Sequence, residues 1–295
     1  MSEKVENTME ELSESPQMNV EDLKQLQIAQ DTIQDIGFLM KAMNKVGSTV
    51  ETGLQFLSDK QREWLNNHIH SILLKILKSN LRTMNKNGDF KEPSSATYKL
   101  LVSATGAGSG LLGAANPLGA SVFAAELLVS TKFMMRSIMD IARSEGEDIY
   151  DVNTQLACLE VFALGGSQKD DDNLDTGYYA TRVAMGTALK GAGAYISKYG
   201  LQGVGKIMMG SVNPVIKVLG LIASRFTVQV SEKFVAQAVP LVGAAGGGLI
   251  NYLFIDHFQN MAKAHFVIRR LERKYGQDVV KSYYNELDKA TKELE

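Results

Sequence analysis

The stretch from Phe234 to Gly276, FVAQAVPLVGAAGGGLINYLFIDHFQNMAKAHFVIRRLERKYG, limits most strongly what this chain can fold into. Up to Ile255 it carries no charged side chain, and its centre is almost entirely Gly and Ala, so another backbone can approach closely. From Asp256 onward, Phe258, Met261, Ala262, His265, Phe266, Ile268 and Leu271 recur at helical spacing. Between them stand Asp256, His257, Arg269, Arg270, Glu272 and Arg273. The pattern predicts one long helix, opened by Pro240, buried at one end and rich in charge at the other.

The rest of the chain reads as helical too, so the expected fold is all-α, a multi-helix bundle with Gly/Ala-rich central helices. A chain of 295 residues can bury one large core or two smaller ones. Residues 1–22 carry seven acidic side chains against Lys4, a net of −6, which leaves +4 in the remainder of a chain whose total is −2. Neither part is basic enough to imply nucleic acid. The single cysteine, Cys158, allows no internal disulfide, and its helical run TQLACLEVFAL makes it a small core residue. With no N-terminal basic-then-apolar signal, a cytoplasmic location is expected.

Three segments are expected: an acidic disordered tail over 1–17, an N-terminal helical arm over 18–90, and the main helical domain over 91–295. Helical periodicity begins near Val20, and Ser58-x-x-Gln61 resembles a capping box for a second helix. Residues 100–125 are uncharged but rich in small residues and interrupted at Asn116-Pro117. Two closely packed helices joined at that turn are expected rather than a membrane span. A further helix is expected over 147–164, and a short strand is considered around Phe226 to Val230.

Several motifs invite chemistry that their context does not support. His68-x-His70 lies in a helix, where residues two apart point in different directions. Gly108-x-Gly110-x-x-Gly113 formally matches a dinucleotide fingerprint, but Pro117 follows only four residues later and strand signals are few. In the acidic loop KDDDNLDTG, an EF-hand alignment puts Thr176 where Gly is needed and Arg182 where the bidentate Glu belongs, so a helix-capping Asp175 or Thr176 is preferred. No metal and no cofactor are expected.

Arg136, Asp140 and Arg143 share a helix face, flanked by apolar residues. They either form an intrahelical ion pair or face charges on another helix. His257, Met261, His265 and Arg269 form a second stripe of imidazole and guanidinium groups. With Glu145, Glu160, Tyr178, Arg182 and Glu272, these residues are the candidates for an internal ion network or a ligand site.

Four stretches resemble the EcsC family of bacterial proteins: RSIMDIARSEGEDI, LEVFALGG, DTGYYATR and the combined GAAGGGLINYLFIDHFQNMAKAHFVIRRLERKYG. They span residues 136–276, with weaker likeness back to about residue 50; the acidic tail and last helix fall outside. The resemblance implies a helical protein of a family without a well-established activity. The peptidase label attached to some members finds no HExxH motif or zinc-protease histidine spacing here.

Three functions are compatible with these features. The favoured one is peripheral or reversible membrane association, with Lys263, Arg269, Arg270, Arg273 and Lys274 meeting anionic lipid. The alternatives are a hydrolase using His257 or His265 with nearby carboxylates, and a soluble scaffold that binds a protein partner through its N-terminal arm or last helix.

Overall fold

The computed structural model describes residues 18–34, 94–110, 117–164, 178–204, 214–238 and 243–292, together with helical positions scattered between 63 and 79. All described elements are helical, and the protein is all-α. They are α1 (Val20–Gln34), α2 (Ser95–Gly110), α3 (Pro117–Ser144), α4 (Val152–Glu160), a 3-10 turn (Val161–Ala163), α5 (Tyr178–Val204), α6 (Pro214–Ala238), α7 (Gly243–Tyr275) and α8 (Gln277–Lys292). Described residues up to Gln34 group with those from Asn260 onward as a terminal unit; those in between form a central unit.

In the terminal unit, Asn19 caps α1: its Oδ1 accepts from the Asp22 backbone N–H at 2.8 Å. Leu23, Leu26 and Ala29 of α1 are buried, as are Val280, Tyr283, Tyr284 and Leu287 of α8, and these two helices pack together. Gln30 Nε2 donates to the Tyr284 carbonyl at 2.7 Å across that contact. Gly276, at φ +93°, separates α7 from α8 in a conformation that a side chain would strain.

In the central unit, α2 packs on α3, α5 packs on α6, and α4 joins α3 to α5. Pro117 occupies the first position of α3, where its missing N–H has no helical partner to lose. Asp151 caps α4 by accepting from the N–H groups of Asn153 and Thr154. Phe162 of the 3-10 turn, Phe226 of α6, and Phe254 and Phe258 of α7 are all buried, with ring centroids 4.8–6.1 Å apart. Such ring pairs add about 0.5–1.5 kcal/mol each beyond their buried area. This aromatic cluster ties α6 to α7.

Three local expectations change. Residues 226–230 are helical rather than extended, because the β-branched residues there sit on the buried and outward faces of the 25-residue helix α6. The helix foreseen over 147–164 is shorter: Asp148 and Asp151 cap a turn, α4 starts at Val152, and the last residues tighten into a 3-10 turn. α7 begins at Gly243, and Pro240 lies outside the described residues. The capping box at Ser58, the His68-x-His70 pair and the acidic loop also fall wholly or partly outside them.

Candidate functional site

The central unit holds a string of polar groups along one side of α7. Asn251, Asp256 and Gln259 reach from α7 to α2 and α3. Asn251 Nδ2 donates to the Val102 carbonyl and to Glu126 Oε1, both at 2.8 Å. Asp256 accepts from Lys99 at 2.5 Å. Gln259 Nε2 donates to Ser137 Oγ at 2.9 Å and to the Ser95 carbonyl at 3.2 Å.

At the inner end of this string, Lys233 of α6 is fully buried. Its Nζ lies 2.9 and 3.0 Å from the two carboxylate oxygens of Glu126 on α3. The ammonium also faces the ring of Phe254 at 4.9 Å and that of Phe123 at 5.7 Å. Cation–π contact and two charge-assisted hydrogen bonds therefore replace much of the hydration lost on burial. Burial still pulls the Lys233 ammonium below its ordinary pKa; the charge and hydrogen bonds of Glu126 oppose that shift.

At the outer end, Tyr98 of α2 donates to Asp140 Oδ2 of α3 at 2.6 Å. Burial and this bond to a carboxylate push the phenol up to about 12, with Arg136 acting in the opposite sense. Burial also raises Asp140, against the Tyr98 hydrogen bond and the positive charges of Arg136 and Arg143. A phenol so high does not release its proton near neutrality, so Tyr98 acts here as a hydrogen-bond donor.

The remaining candidates have varied surroundings. Arg143 and Glu145 are half-buried near the end of α3, and Glu160 is buried at the end of α4. Tyr178 is buried at the start of α5, where the Arg182 guanidinium lies over it at 5.1 Å and over Tyr179 at 5.6 Å. His257 is half-buried and edge-on to Phe258. In the terminal unit, His265 is buried edge-on to Phe266, and Arg269 and Glu272 are half-buried. Lys263 and Arg273 are exposed, whereas Arg270 reaches Gln25 and Asp22, and Lys274 binds Asp22 at 2.6 Å. Among the described residues, no three His, Cys, Asp or Glu side chains gather as a metal site.

Sequence reasoning reached Asp140 and Arg136 but missed Tyr98, Glu126, Lys233 and Asn251. A usable signal was present for two of them. Glu126 is the lone charge between Lys99 and Lys132, and Glu232 and Lys233 are the only charges between Arg225 and Asp256. A charge isolated in an apolar run must find a partner or stay in water, and two opposite ones are a candidate pair.

Comparison with curated proteins and with solved structures returned no match. The model of the EcsC protein family matches residues 2–271, reaching into the acidic tail that the resemblance of individual motifs had left out and stopping short of α8. On a match covering nearly the whole chain, this is a member of the EcsC protein family.

Proposed function

We propose that this protein associates reversibly with the surface of membranes, at the cytoplasmic face. The observation that carries this reading is the outward face of α6. Within Pro214–Ser231, the one described stretch long and apolar enough to cross a bilayer by length and composition, half of the residues are buried in the protein. The exposed remainder includes Gly220, Leu221, Ser224 and Val228, with Lys217 in the first turn the one exposed charge among the described side chains.

Other helices of the central unit share this character. Leu100, at 71 % exposure, Leu101 and Ala104 lie outward on α2, as do Ala125 and Val129 on α3 and Val183 and Ala184 on α5. Burying each Leu or Val in acyl chains contributes about 1.5–3 kcal/mol before ordering costs. The exposed Lys263, Arg273 and Lys274 on α7 add about 1 kcal/mol each near an anionic leaflet. These are the magnitudes of reversible attachment rather than of permanent insertion.

Flotation with vesicles of phosphatidylcholine alone, or mixed with phosphatidylglycerol, tests the reading. The protein is expected to float with the mixed vesicles at low salt and to lose affinity when Leu221 and Val228 are both replaced by Asp. Retention of the wild-type chain in the dense fraction under all conditions would falsify the proposal.

A further inference from the structure

We infer that Lys233 is a concealed contact for anionic lipid, masked by Glu126 in the free protein and exchanged onto headgroup phosphate when α6 meets a membrane. This rests on the membrane reading above and adds the group that recognises the lipid and the device that hides it. Three features of the structure lead to it. Lys233 follows the apolar stretch Pro214–Ser231 by two residues, so if that stretch lies in lipid, its long stem can carry the ammonium out to the interface. In the free protein the same ammonium is completely enclosed, held by both oxygens of Glu126 and flanked by two aromatic rings. Asn251 in turn donates to Glu126 Oε1, fixing the carboxylate at the junction of α3, α6 and α7.

Such a pair is a weak glue and a good latch. The cost of desolvating two charges offsets most of their attraction, so an apolar pair of similar volume would hold the helices as well or better. A phosphate at the membrane surface can replace the Glu126 carboxylate as acceptor while the apolar residues of α6 gain acyl contact, so the ammonium is never left without a counter-charge. A buried carboxylate left behind by the exchange would be costly, and Glu126 keeps its Asn251 donor.

The test follows the reactivity of the Lys233 amine towards an acylating reagent, read by mass spectrometry on the full-length protein. In solution Lys233 is expected to resist labelling. On phosphatidylglycerol-containing vesicles it becomes labelled, whereas phosphatidylcholine vesicles and inorganic phosphate without lipid leave it protected. Labelling induced by inorganic phosphate alone overturns the lipid assignment. Flotation without labelling of Lys233 overturns the inference while leaving the membrane reading standing; absence of flotation overturns both.

Two variants separate the latch from the lipid. Glu126→Gln leaves the ammonium without its counter-charge and is expected to raise Lys233 labelling in solution about tenfold. The double variant E126L/K233M removes both charges, remains folded and binds anionic vesicles about fivefold more weakly through loss of one basic contact. Should the double variant bind such vesicles as tightly as the wild type, the inference is wrong even if Glu126→Gln does not fold.

Discussion

Gly106 of α2 lies so close to Asn251 of α7 that a Cβ at position 106 would overlap the Asn251 carboxamide and the carbonyl oxygen of Gly247. The missing side chain is what allows Asn251 to reach the Val102 carbonyl and Glu126. Gly106→Ala is therefore expected to destabilise the protein by about 1–3 kcal/mol, despite the better helix propensity of Ala. Gly186→Ala, on α5 where an added Cβ meets nothing within 4 Å, is expected to stabilise by about 0.5–1 kcal/mol. Thermal melts of the two variants should move in opposite directions.

The Lys233–Glu126 pair predicts strong non-additivity. Glu126→Gln or Lys233→Met alone strands one buried group and should cost about 3–5 kcal/mol, whereas the apolar double variant should lie near the wild type. A double-mutant cycle by urea denaturation measures the coupling. Additive single costs would show that the two charges do not depend on each other.

Asp22 predicts an acid-sensitive terminal unit. Burial pushes its carboxyl up, but hydrogen bonds from Lys274 and Tyr275 and the charges of Lys274 and Arg270 outweigh this and hold it below 3.8. With the folded value depressed, the stabilisation is present above 3.8 and is lost as pH falls through the folded value. Amide exchange in α1 should accelerate over that range in the wild type. Asp22→Asn should accelerate it at neutral pH and flatten the dependence.

Tyr98→Phe removes a hydrogen bond to a carboxylate and is expected to cost about 1.5–3 kcal/mol. Asp140 titrates above 3.8, so its contribution is fullest below that value and fades as pH rises through the raised folded value. Loss of the Tyr98 hydroxyl should raise Asp140 further. Carboxyl-selective NMR titration of the wild type and variant gives the comparison, and an unchanged Asp140 titration would remove Tyr98 from the network.

The helical character of this chain is local information: periodic apolar residues, Pro117 at a helix start and Asp151 at a cap each act within a few positions, so α1, α3 and the C-terminal end of α7 could be read along the chain. Length and β-branched content misled at residues 226–230, where burial between neighbouring helices overrides the strand preference of Val and Thr.

Position along the chain determined which residues could be helical, which faces could be apolar and that Arg136 and Asp140 share a face. The three-dimensional packing alone decided that Asp140 meets Tyr98, that Lys233 meets Glu126 across 107 positions, and that Asp22 meets Lys274 across 252. Helical periodicity sets the angle at which a side chain leaves its own axis. It carries no term for which other axis lies within hydrogen-bonding reach, and a buried charge is satisfied only by that second helix.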